Sequence, residues 1–142
     1  RTELESRYEI TLENYCKSIN IEALTMIDMA GKQIIPAVVK YTKTLADTAN
    51  AIKAAGGDAS VQTELLADVS TKLAAMQKAL NKLVAEEKEA SAMEDVKAQA
   101  FFYKDTIKAT MDELRKPADE LEMIVDKDVW PIPTYGELMF EV

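Results

Sequence analysis

A chain of 142 residues, 48% apolar and 30% charged, fits one domain that buries roughly 70% of its unfolded surface, and it is too apolar for disorder. Its net charge of −8 excludes nucleic acid and anionic membrane surfaces as partners, since both need a concentrated basic face. With no histidine there are no catalytic triads, His-bearing zinc sites or Glu-x-x-His di-iron bundles, and the single Cys16 cannot close an internal disulfide, which points to a reducing cytoplasm.

The first predicted element is a helix over about 3–55. Leu4, Tyr8, Leu12, Tyr15, Ile19, Ala23, Ile27, Ala30, Ile34, Val38, Tyr41, Leu45, Ala49 and Ile52 recur in steps of three or four, which is one helix face. Thr2 and Glu5 supply a capping box at its front. Pro36 removes a backbone donor and Gly31 weakens the same turn, so a kink or a break is expected there. "AAGGD" ends the run, with Gly56 suited to a left-handed cap and Asp58 or Ser60 suited to cap the next helix.

The second helix, about 60–89, carries Leu66, Val69, Leu73, Met76, Leu80 and Leu83 at alternating steps of three and four, a heptad-like seam. Glu86, Glu87 and Glu89 follow at its end and are expected on a solvated face. The third helix, about 92–127, runs through Met93, Val96, Ala100, Tyr103, Ile107, Met111, Leu114, Ala118, Leu121 and Val125, with Pro117 expected to bend or restart it. Asp28–Lys32, Asp68–Lys72 and Asp112–Lys116, acid first and four apart, mark outer faces. Short connections make consecutive helices antiparallel neighbours. The fold class is therefore all-α: an antiparallel bundle of three long helices, the first longer than its partners and overhanging them. An extended tail follows over 128–142.

Two features exceed what such a bundle consumes. From Ile19 to Val39, 13 of 21 residues are apolar, and Ile21, Leu24, Ile35 and Val39 form a second set beside the main stripe. The tail holds Trp130, Pro131, Ile132, Pro133, Tyr135, Leu138 and Phe140, of which the large apolar and aromatic side chains cost about 1.5–3 kcal/mol each to leave in water. These eleven residues are the candidate interface, against the bundle itself or against another domain. No catalytic residue, cofactor site or metal site is predicted. There is no glycine-rich phosphate loop, Glu120 and Glu122 point to different sides of a helix, and the longest apolar stretch, Ile34 to Val39, falls far short of the ~20 residues that span a bilayer. Because the chain opens on Arg1 and not Met, it is expected to be part of something longer.

"SRYEITLENYCKSINIEALTMIDMAGKQIIPAVVKY" (Ser6 to Tyr41) and "WPIPTYGELMF" (Trp130 to Phe140) closely resemble the C-terminal region of type III glutamine synthetases. The "INIEALTM" core, the following "PAV" and the terminal "WPxPTYxxL" pattern occur in the family's order, while the middle helices would match many bundles. The resemblance implies a single helical domain over 1–142 at the C-terminal end of a larger enzyme. That enzyme would make glutamine from glutamate, ammonia and ATP through a γ-glutamyl phosphate, with magnesium or manganese. It also implies that the nucleotide, metal and glutamate sites lie in a preceding catalytic domain, and that the partners are that domain and neighbouring subunits of a double-ringed homo-oligomer. A stand-alone helical adaptor or sensor module sharing these strings is the competing expectation.

Overall fold

The structure, a computed structural model, describes residues 2–132; the capping box that involves the Thr2 side chain and everything from Pro133 onward lie outside the described residues. Five α-helices and two π turns build three rods. The first is α1 (Thr2–Met29), a π turn (Ala30–Ile34) and α2 (Ile35–Ala54). The second is α3 (Ser60–Ala92), and the third is α4 (Val96–Phe102), a π turn (Tyr103–Ile107) and α5 (Lys108–Ile124). Among the described residues there is no strand. α2 packs on α3, α3 packs on α5, and α1 lies against α4, which is the three-rod antiparallel bundle expected from the periodicity.

The first corner follows from backbone chemistry. Gly56 adopts φ +84°, Gly57 N–H donates to the Ile52 carbonyl at 2.9 Å and Gly56 N–H to that of Lys53 at 3.0 Å, so two orphan carbonyls of α2 are satisfied in a Schellman cap. Asp58 then accepts from the Ser60 N–H at 3.0 Å and starts α3; that bond holds its carboxyl below the usual carboxylate range. Nothing crowds the Gly56 position, so only its left-handed backbone demands glycine. Gly56→Ala should lower stability by about 1 kcal/mol, read as a shift of the urea midpoint at unchanged m-value.

Both prolines sit in continuous rods. Ahead of Pro36 the helix widens: Ile35 N–H reaches back five residues to the Ala30 carbonyl, and Pro36 falls at the start of α2, where a missing N–H is tolerated. The rod passes through this π turn without a break. Pro117 does not restart the helix: α5 continues through it to Ile124 with the ring buried in the bundle. Packing there outweighs a local penalty of about 3 kcal/mol.

The lengths remain unequal, as expected. α3 has 33 residues and spans about 50 Å, while Thr2 to Ala54 would span about 80 Å. The surplus is placed at both ends. Leu4, Tyr8 and Ile10 at the front of α1 are exposed, and α2 touches α3 but hardly α5. Between these ends one apolar core runs the length of the bundle through Val38, Val69, Met76, Leu83, Ile107, Leu114 and Leu121. Lys82 ties α3 to α5 by a 3.2 Å ion pair with Glu113 on the surface. Asp28 and Lys32 pair at 3.1 Å and Asp68 pairs with Lys72 as expected, whereas Asp112 meets Arg115 instead of Lys116.

Candidate functional site

Three places hold chemistry beyond the packed core. The first is the outer face of the long rod. A helix that touches two neighbours buries one broad stripe, here Cys16, Ile19, Ala23, Ala30, Ile34 and Val38, and turns its back to water. On that back Ile21 is 64% exposed, Leu24 49% and Val39 50%, while Ile35 is half-buried. Cys16 is buried as expected, and burial pushes its thiol up, away from reactivity.

The second place is where the tail returns. After α5 the backbone reverses around Asp126, whose carbonyl accepts from Val129 and Trp130 N–H at 2.9 and 3.1 Å and whose side chain accepts from Asp128 N–H at 2.9 Å. This turn lays Trp130, only 7% exposed, into the groove between the first π turn and α5. Ile132 is half-buried beside it and Pro131 is exposed. Trp130 therefore docks on its own bundle. Pro133, Tyr135, Leu138 and Phe140 lie outside the described residues.

The third place was not legible as a site. Glu87 is 5% exposed, inside the junction of α1, α3 and the second π turn, and not on a solvated face with Glu86 and Glu89. One carboxylate oxygen accepts from the Ser91 hydroxyl at 3.2 Å and the Tyr103 hydroxyl at 3.3 Å; the other is buried with no partner among the described residues. The Tyr103 hydroxyl also lies 3.4 Å from Asn20 Oδ1 on α1. Burial raises the Glu87 carboxyl above the usual carboxylate range, and burial together with the Glu87 charge pushes the Tyr103 phenol up to about 12. The signal was present in the spacing: the seam of α3 continues from Leu83 by four to Glu87 and by three to Ala90, so a carboxylate occupies a core position.

Among the described residues no group of three or more carboxylate or thiol side chains is gathered closely enough to hold a metal ion, and no helix is long and apolar enough to cross a membrane.

A family described as the glutamine synthetase C-terminal domain matches residues 1–53. The chain is 40% identical over its whole length to a glutamine synthetase of Butyrivibrio fibrisolvens, of which it covers 21%. It is 33% identical over 97% of its length to a type-3 glutamine synthetase of Dictyostelium discoideum, covering 20% of it. A glutamine synthetase of Bacteroides fragilis (strain YCH46) is 30% identical over 98% of the chain, again with 20% of the relative covered. The chain thus spans about a fifth of the length of these relatives, at their C-terminal end.

Proposed function

We propose, on the premise that the chain belongs to the glutamine synthetase C-terminal domain family, that it is the non-catalytic helical end of such an enzyme and serves its packing, assembly or regulation. The observation that carries this reading is the pattern of coverage: the whole chain matches, but only the last fifth of relatives that are named for the activity. The parent would form glutamine from glutamate, ammonia and ATP through a γ-glutamyl phosphate. Magnesium or manganese would neutralise phosphate charge in that reaction. As the family resemblance implies, the nucleotide, metal and glutamate sites would lie in the rest of the longer protein. Its setting would be cytoplasmic.

The outer face of the long rod supports the packing role. Ile21, Leu24 and Val39 leave apolar surface in water that folding of this chain does not use. They would form the seam with the enzyme body or with a neighbouring subunit. Two measurements test the reading. This chain alone should give no glutamine in a biosynthetic assay, and robust turnover would sink it. At high concentration it should self-associate in sedimentation, and Ile21→Lys with Leu24→Glu should abolish that association while moving folding stability by less than about 0.5 kcal/mol per site. A wild-type chain that stays monomeric under the same conditions would remove the case for an unpartnered face.

A further inference from the structure

The hydroxyl of Tyr103 stands between two acceptors and owns one proton. It lies 3.3 Å from Glu87 Oε1 on α3 and 3.4 Å from Asn20 Oδ1 on α1, so neither acceptor is favoured by distance. One O–H does not serve both at full strength, and the charge on Glu87 decides between them. An ionised carboxylate only accepts, and it draws the proton more strongly than a neutral amide oxygen does. The Ser91 hydroxyl donates to the same carboxylate oxygen at 3.2 Å. In the ionised state both hydroxyls therefore serve Glu87, and the Asn20 oxygen is left without the Tyr103 donor. Once Oε1 carries a proton, it donates to the Tyr103 oxygen instead, and the phenolic proton turns to Asn20. A continuous chain then runs from Glu87 through Tyr103 to Asn20, joining α3, the third rod and α1.

We propose that this cluster is a proton-operated latch: protonated Glu87 releases the Tyr103 hydroxyl to Asn20 and ties α1 to the bundle, and ionised Glu87 withdraws it. One proton enters, from solvent onto Oε1, and the Tyr103 hydroxyl rotates without changing its own charge. Tyr103 is 2% exposed and Glu87 5%, so neighbours and not water must satisfy either state. Burial favours the neutral acid, which places the tie on the acid side and loses it as pH rises through the folded-state value. Few other charges face the cluster. On α1, Glu13 and Lys17 line the open cleft beside Asn20 and Tyr103, with the buried Cys16 thiol next to them. The third rod adds no side chain to that cleft that is charged at neutral pH, and on α3 the chain neighbours of Glu87 are Glu86 and Lys88. The inference stands on this cluster and does not use the domain reading.

The test is a double-mutant cycle between Asn20→Ala and Tyr103→Phe in the whole chain, repeated from about pH 8 down to about pH 4, the ordinary carboxylate range. Urea unfolding followed by circular dichroism gives the unfolding equilibrium constant of each protein. The coupling should be less than about twofold at the alkaline end and rise to about fivefold as the pH falls, the size of one neutral hydrogen bond. In Glu87→Gln the amide donates to the Tyr103 oxygen at every pH, so the coupling should stay near its acid value throughout. Glu13→Gln should leave the pH dependence in place. A coupling that is level with pH would overturn the proposal, because Asn20 would then serve Tyr103 equally in both states. So would a pH dependence that survives Glu87→Gln or vanishes in Glu13→Gln. Asn20→Ala alone gives a second reading that does not depend on the tyrosine variant folding. Its loss of stability should grow as the pH falls in the wild-type background and stay level in Glu87→Gln, and a loss that is level in both would also overturn the latch.

Discussion

Trp130→Ala is expected to lower the stability of this chain by about 3–5 kcal/mol, the range for emptying a buried tryptophan site. The site cannot collapse, because the groove is framed by rods held elsewhere along the core. Part of the loss is offset, since the mutation also removes a buried donor that has no acceptor among the described residues. Trp130→Phe separates the two effects: it keeps most of the apolar volume and discards the N–H, so it should cost less than about 1.5 kcal/mol. Urea denaturation followed by circular dichroism measures both without a tryptophan signal. An alanine variant within 1 kcal/mol of wild type, by this order-of-magnitude scale, would mean that the groove is not part of the cooperative fold.

Replacing Glu87 by glutamine should raise stability near neutral pH by about 1 kcal/mol, because the buried carboxylate has two hydroxyl donors and no cation among its bonded neighbours. Burial raises its folded-state pKa above that of the unfolded chain. Between those two values the folded state binds more protons, so stability falls as pH rises through the window and the full penalty stands above it. Wild type should therefore gain on Glu87→Gln as the pH is lowered from 7 towards the ordinary carboxylate range. Other acids titrate there too, and the difference between the two proteins isolates this group. Tyr103 acts in the same direction at the alkaline end: its phenol is pushed from an ordinary 10.0 up to about 12, and stability is lost as pH rises between them. Tyr103→Phe should lower neutral-pH stability by about 1–3 kcal/mol by taking a donor from Glu87, and in the Glu87→Gln background the loss should shrink. Equal losses in both backgrounds would show that the two side chains do not act as a unit.

Trp130 anchors the segment after α5 on the bundle, and the Glu87–Tyr103–Asn20 cluster joins all three rods.

The sequence by itself determined the class of fold and the members of the core. Steps of three and four place one stripe on each rod, and burying those stripes together leaves a three-rod bundle as the arrangement that satisfies them. It also determined the first corner, since a left-handed position after α2 requires glycine and an aspartate two residues before Ser60 suits the next N–H. The form of the proline turn was decided only in three dimensions. Steps of four occur at Ala30–Ile34–Val38 and Tyr103–Ile107–Met111, where the helix widens, but equally at Tyr41–Leu45–Ala49, where it does not. Tertiary packing alone carried α5 through Pro117, because local propensity counts one missing hydrogen bond while the bundle counts the buried ring. The same holds for Glu87, which charge assigns to the surface and register assigns to the interior. Register won because the neighbours on both sides of it, Leu83 and Ala90, are fully buried and the helix between them cannot rotate.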